Sequence, residues 1–299
     1  MTASQYIGID IRKDGVSAAL IKKGEPIKTT YIPVEGKSKQ ETLAAVRKAA
    51  SECGGGTVKA AAFVIPERET IPKTYTTDII TEKELILNFP FEFKDFIAAG
   101  QEEDYMFDYR VTDHEVNEKG ALKSITICAA AIKKEIIENY REMFKSIGLV
   151  MERAIPESTA YSNIINKYTD EDGKEDISEI GFINIGKKRS SLFMFVNGAC
   201  ESKREMDKGC ETRYTGDETE SLALQDLATD IMRSLNNYKL NHTGTKADTL
   251  YIHGPGAGNE TLIDSIKELT GFNVVNIKTL TKGIVPGSDT NALAIAAGY

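Results

Sequence analysis

The chain has 299 residues, 41% of them hydrophobic and 27% charged, with a formal net charge of −8 and a pI near 5.2. That length accommodates two cored domains, and the acidic balance excludes nucleic acid as the main partner, because phosphate binding needs a basic face. No apolar run approaches the roughly 18 residues of a membrane span, so direct membrane insertion is not expected.

From the N-terminus, MTASQYIGID runs into a strand with no signal-peptide pattern, which sets the expectation of a cytoplasmic chain. Tyr6–Val34 reads as three strands: Ile7–Ile11, a turn at Asp14-Gly15, Val16–Ile21, a turn at Lys23-Gly24, and Ile27–Val34. Lys39–Ser51 then has helical spacing through Leu43, Val46 and Ala50, and Val58–Ile65 is a short apolar strand.

Between Pro66 and Pro156 the chain inserts a unit of its own. Glu69–Thr76 reads as a strand. Thr81-x-x-Glu84 is a capping box opening a helix through Leu85, Leu87 and Phe89, which Pro90 kinks or breaks. Met106–Val116 and Leu122–Ile132 alternate as strands, Lys133–Ile147 is a helix closed by Gly148, and Leu149–Ile155 is a last strand. The order β-α-β-β-α-β is ferredoxin-like. The cluster Phe89, Phe91, Phe93 and Phe96 reads either as a partner groove or as the core of this subdomain.

Pro156 opens a helix over Glu157–Tyr168 whose Ser158, Ala160 and Ser162 allow close packing. Thr290–Ala297, equally slim, is the expected mate, and the pair would form a hinge floor between lobes. Thr169–Ser178 is an acidic connector whose spacing does not fit a calcium loop.

Glu179–Gly209 repeats the opening pattern: Ile180–Ile185, Ser191–Val196, a hairpin turn at Asn197-Gly198, and Ala199–Met206. Leu222–Leu240 has helical spacing through Leu224, Leu227, Ile231, Leu235 and Tyr238, and Thr249–His253 is the following strand. A β-β-β-α-β unit therefore occurs twice, which implies two similar lobes with a binding cleft between them. Cys53, Cys128, Cys200 and Cys210 show no CxxC and read as reduced thiols; His114, His242 and His253 have neither metal-ligand spacing nor a triad pattern, so no metal site is expected.

Several short runs carry a family resemblance: Gly8-Ile9-Asp10, Glu82-Lys83-Glu84-Leu85, Ala129–Glu135, Ser146–Leu149, Ile185-Gly186, Arg204–Gly209, Ile231-x-Arg233-Ser234-Leu235-x-x-Tyr238 and Gly254–Gly258. In that order, across almost the whole chain, they resemble the actin-like superfamily and, within it, the PilM family of type IV pilus assembly proteins. The place of the insert marks the branch that PilM shares with FtsA, and the ending Ala296-Ala297-Gly298-Tyr299, without an amphipathic membrane helix, favours PilM.

The resemblance implies an α/β, duplicated ribonuclease H-like, actin-like two-lobed fold. Its expected parts are a first lobe at 1–67, the ferredoxin-like insert at 68–154, an interlobe helix and connector at 155–177, a second lobe at 178–285 and a returning C-terminal helix at 286–299. It also implies ATP with magnesium as a cofactor, phosphates held by backbone N–H groups in two hairpin turns, and carboxylates at strand ends that hold hydrated magnesium. Asp10 matches the first carboxylate, Gly186 the second phosphate hairpin, and Gly254, Gly256, Ala257 and Gly258 the loop beside the base. Arg12, Lys13, Asn184, Lys187, Lys188 and Gly209 complete the candidate set.

Departures weaken that site. Asn184 replaces a second carboxylate and cannot act as a base. Arg12 and Lys13 stand where small residues would leave room for phosphate, and Lys187, Lys188 and Arg189 either attract phosphate by charge or block it by bulk. Only Cys210–Ser221 remains of a longer passage after Gly209. At most weak ATP hydrolysis is expected.

Two readings follow. In the first, the chain is a cytosolic scaffold of a pilus or competence-type machine. It holds the cytoplasmic tail of a PilN-like inner-membrane protein in a groove between the first lobe and the insert, among Phe89–Ile97 and the strands of Met106–Ile132, and so sits at the inner face of the membrane. Self-association is left open. In the second, it is an ATP-binding actin-like ATPase or phosphotransferase, for which no candidate base stands out.

Overall fold

A computed structural model describes residues 5–35, 38–54, 56–78, 81–118, 120–169, 178–211, 219–280 and 292–297. The expected acidic connector lies mostly outside these, as does most of the segment from Cys210 to Ser221. The N-terminal alternation folds as three antiparallel strands, β1 (Gln5–Arg12), β2 (Gly15–Lys22) and β3 (Glu25–Pro33). Helix α1 (Lys39–Gly54) follows, and β4 (Ala60–Ile65) returns parallel to β1. Every residue of β4 is buried, as its unbroken apolar run requires of a strand covered on both faces.

Turn chemistry sets the registers. Lys23 and Gly24 have φ of 52° and 78°, and Asn197 and Gly198 have 49° and 75°, the paired positive values of type I′ turns. The first turn falls one residue earlier than expected. Arg12 pairs with Gly15, so Lys13 and Asp14 form the loop, and Gly15 instead lies against the Tyr31 ring where a side chain would not fit.

The inserted unit is β5 (Thr70–Asp78), α2 (Glu82–Glu92), β6 (Tyr105–Val116) and β7 (Leu122–Lys133), with sheet order β5-β7-β6. Thr81 and Glu84 make the reciprocal capping box. Pro90 neither breaks nor ends α2. It sits in the last turn, where its missing N–H forgoes one i→i−4 bond, and the helix continues to Glu92.

The ferredoxin-like order expected for 68–154 is not what forms. Helix α3 (Lys134–Ser146) packs Ile137 and Phe144 into the first-lobe core with Ile7, Ile9 and Phe63, and β8 (Val150–Pro156) pairs parallel with β4. Hydrophobic period identifies a strand but not the sheet it joins.

After α4 (Glu157–Thr169) the second lobe repeats the first: β9 (Glu179–Ile185), β10 (Ser190–Val196), β11 (Ala199–Met206), α5 (Thr219–Asn241), β12 (Thr249–His253), α6 (Glu260–Thr270) and β13 (Asn273–Asn276). Sheet orders β3-β2-β1-β4-β8 and β11-β10-β9-β12-β13 are the same arrangement twice. The repeated unit is thus β-β-β-α-β-α-β, two elements longer than the sequence reading, and the insert falls inside its first copy.

Beyond β13, α7 (Ile277–Leu280) and α8 (Ala292–Ala296) close the described chain. The C-terminal helix does mate with α4, through Asn163 Nδ2 donating to the Ala296 carbonyl at 3.2 Å. Gly8 is what admits α8 to β1, since a Cβ there would overlap the Ala294 carbonyl. A shared core joins the lobes: Tyr161 and Ile164 of α4 pack with Ala62 and Val64 of the first lobe and Phe182, Phe193 and Phe195 of the second.

Candidate functional site

Asp10 is the last buried residue of β1, at the mouth of the interlobe crevice. Arg12 shares its strand face by the two-residue period and turns its guanidinium back. Arg12 Nε lies 2.8 and 3.1 Å from the two Asp10 oxygens, and Nη1 lies 3.0 Å from Glu157 Oε2. Nη2 has no hydrogen-bond partner, so the carboxylates hold two of the three guanidinium nitrogens. Glu157, the first residue of α4, accepts on its other oxygen from Ser191 Oγ at 3.3 Å and from the Tyr161 hydroxyl at 3.5 Å. That hydroxyl is 2.6 Å from His253 Nε2.

Burial pushes the Asp10 carboxyl up to about 6, although Arg12 pulls the other way. Burial, with the Arg12 charge added, holds His253 down to about 3. Burial also lifts the Tyr161 phenol well above its ordinary range, helped by Glu157. At neutral pH the cluster is therefore an ionised Asp10 on a guanidinium, beside a neutral imidazole.

The two hairpin tips meet next to it. Asp14 Oδ2 accepts from the Lys187 backbone N–H at 3.1 Å, while its own carbonyl accepts from Tyr31 Oη at 2.9 Å and Val34 N at 3.0 Å. Carbonyls of Gly186 and Lys187 accept from Cys210 N at 2.9 Å and Glu211 N at 2.8 Å. Gly209 packs on that turn so closely that a Cβ would overlap the Gly186 carbonyl. Lys187 Nζ pairs with Glu211 at 3.2 Å and Arg189 with Asp207 at 2.7 Å.

The glycine loop reaches the same place. Gly254 has φ of 90°, and a Cβ on it would strike Asn184 Oδ1; one on Gly256 would strike the Ile185 side chain and lie 3.1 Å from Cys210 Cβ. Ala257 is buried and Gly258 is open on the Cβ side. Asn184, Gly186, Lys187, Gly209, Gly254, Gly256 and Ala257 thus converge, and Asp10 with Arg12 lies beside them. Lys13 and Lys188 are exposed at the tips.

This arrangement does not fit magnesium-ATP. A cation between Asp10 and Glu157 would meet the Arg12 guanidinium, a phosphate oxygen on the Lys187 N–H would meet the Asp14 carboxylate, and the space left by missing side chains at Gly209, Gly254 and Gly256 is filled by the chain itself. The sequence reading did not single out Asp14, Glu157, Tyr161 or His253. The one signal available was chemical: an aspartate in the turn that follows Arg12 and Lys13, where the resemblance expects small residues at 12 and 13.

A second concavity, of about 630 Å³, opens between the insert and the lobes. Its floor is the face of the insert sheet turned away from α2. Residues 106–110 of β6 line it, with residues 128–130 and Ile132 of β7; Phe107, Ala129 and Ala131 also belong to the insert core with Leu85, Phe89 and Phe93. Its wall is β8, from Met151 to Pro156, together with Ser158, Thr159 and Ser162 of α4 and residues 200–203 of β11. Because β8 ends its sheet, its outer backbone edge has no strand partner among the described residues. Arg110 Nη1 bonds Asn163 Oδ1 at 3.1 Å, tying the floor to α4.

The phenylalanine cluster divides between the two readings, two residues in the subdomain core and two on the surface. Phe89 and Phe93 are buried in the insert core, at ring distances of 5.9 and 5.5 Å from Phe107, whereas Phe91 and Phe96 are 72% and 59% exposed on the outer surface. None of the four lines the cleft. Helical spacing separates them: 89 and 93 share a face, and 91 lies opposite.

No protein-family model matches the sequence, and no curated protein does. Solved structures do. The PilM–PilN type IV pilus biogenesis complex superposes with a TM-score of 0.75 at 13% identity, covering 97% of this chain and 96% of that one. A Bacteroides thetaiotaomicron protein described as having an actin-like ATPase fold superposes at 0.52, with 13% identity over 97% and 95% of the two chains. The chain has the actin-like ATPase fold. A third structure with this fold likeness is the cytoplasmic domain of EpsL, an inner-membrane component of the Vibrio cholerae type II secretion system, at 0.54 and 11% identity over 98% and 94%. The actin-like fold accounts for the doubled sheet and for the crevice at the strand ends. Among the described residues, no helix is long and apolar enough to cross a membrane, and no group of His, Cys, Asp and Glu is placed to hold a metal ion.

Proposed function

We propose that the chain is a PilM-like cytosolic scaffold of a pilus or secretion-type machine. Its working surface is the cleft between the insert and the first lobe, and it takes the cytoplasmic tail of a PilN-like inner-membrane protein. The observation that carries this reading is the cleft itself: about 630 Å³, floored by one sheet face and walled by the terminal strand β8. A bare strand edge offers backbone donors and acceptors to an extended peptide, and Met106, Ala130 and Ile132 put apolar surface on the floor beside it.

Association with the membrane is then peripheral and runs through the tail. The crevice is a former nucleotide site in this account, and an ATPase or phosphotransferase role gains no support from Asn184 or from the filled hairpin tips. The test is titration of a synthetic tail from a PilN-like protein encoded beside this chain, read by fluorescence anisotropy. Saturable binding with no ATP turnover is expected; turnover of ATP without tail binding would overturn the reading.

A further inference from the structure

We propose that the crevice is a built-in lock, in which Arg12 and Asp14 take the places of a bound cation and a bound anion and hold the two lobes together without any ligand. This rests on the reading of the crevice as a former nucleotide site and is independent of what the cleft binds.

A hairpin N–H aimed at a crevice is an anion site, and here the anion is the Asp14 carboxylate of the other lobe, 3.1 Å from Lys187 N. Asp14 is anchored for that task, since Tyr31 and Val34 both hold its carbonyl. A pair of buried carboxylates is a cation site, and here the cation is Arg12, bonded to Asp10 and to Glu157. Glu157 in turn accepts from Ser191 of β10, so this chain of bonds also ends in the second lobe.

Of the cations at the hairpin tips, Lys187 and Arg189 are already paired with Glu211 and Asp207, while Lys13 and Lys188 are exposed outside the contacts that make the lock. Each substitute is tethered, so it competes as an intramolecular group at high effective concentration, which a free ligand has to exceed. The closed arrangement is consequently the resting form of the chain.

Thermal melting of the full chain, with and without magnesium-ATP and with inorganic triphosphate, tests the lock. Wild type is expected to melt at one temperature in all three conditions. Asp14→Ala is expected to melt several degrees lower, with triphosphate restoring part of the loss through the freed Lys187 N–H. Asp14→Asn keeps an acceptor at the turn and loses only the charge, so it is expected to melt between the two, which preserves the test if the alanine variant does not fold. A saturable rise of wild-type Tm with magnesium-ATP, or an Asp14→Asn chain that melts as wild type and ignores triphosphate, would overturn the proposal. Tail binding by the same samples reports separately on the cleft.

Discussion

Removing the Arg12 guanidinium would leave Asp10 and Glu157 as two buried carboxylates with no countercharge. Loss of one partner from a buried pair costs about 3–5 kcal/mol, so Arg12→Ala is expected to lower stability by that order in urea melts at pH 7. The loss should shrink below pH 6, where Asp10 takes up a proton. Arg12→Lys keeps the charge without the fork and should recover only part. A variant as stable as wild type would show that the cluster is not held by this cation.

His253 and Asp10 act on stability in opposite directions. His253 is held from 6.5 down to about 3, so the folded chain refuses a proton that the unfolded chain accepts. Its contribution is complete above pH 6.5 and is lost as pH falls toward 3. Asp10 is raised from 3.8 to about 6, so its contribution is complete below 3.8 and is lost as pH rises through 6. The histidine window is the wider, and stability should fall on acidification. Between pH 6 and 3.8 the two contributions nearly cancel, so His253→Gln should turn that level stretch into a gain of stability on acidification in denaturant melts; a slope parallel to wild type would contradict the assignment. Of this cluster only Asp10 and Arg12 were legible beforehand. Glu157 reads as an ordinary acidic first-turn residue, and nothing in a sequence says that positions 12 and 157 meet.

At the scale of elements, the chain announces its strands well and its sheets poorly. Asn197-Gly198 and Lys23-Gly24 fix hairpins because their backbone must take positive φ, and Thr81 with Glu84 fixes a helix start because two orphan N–H groups need acceptors. These are local requirements, readable in a few residues. The destination of β8 is not local. It is an apolar run equally able to join the insert or the first lobe, and its pairing with β4 is decided by α3, whose Ile137 and Phe144 dock on the first-lobe core. That assignment also bares the β8 edge that makes the cleft. Ala130, on the cleft floor, is where bulk should interrupt an occupant without disturbing the insert core on the other face. Ala130→Trp is expected to reduce tail binding at least tenfold, by about 1.4 kcal/mol or more, with Tm near that of wild type. Undiminished binding would place the tail elsewhere.

Taken as a whole molecule, the two lobes resemble the halves of a clamp that has been fastened. Their interface combines an apolar core around Tyr161, Phe182 and Phe193 with polar ties at Arg12–Glu157, Asp14–Lys187 and Ser162–Gly198, the last a 2.7 Å bond from Ser162 Oγ to the Gly198 carbonyl. An interface that is both large and hydrophobic leaves little freedom for opening. Duplication was visible in the sequence because the two strand triplets share turns and spacing. The closure was not, because it depends on side chains from distant segments that meet only after both lobes have formed.

The most direct test of this account is amide hydrogen exchange on the full chain, comparing free protein with protein plus the partner tail and with protein plus magnesium-ATP. The account predicts that the tail slows exchange at 150–156 and 106–110, and that magnesium-ATP leaves 10–15 and 184–187 unchanged. Protection of the hairpin tips by magnesium-ATP, with no effect of the tail on β8, would contradict it.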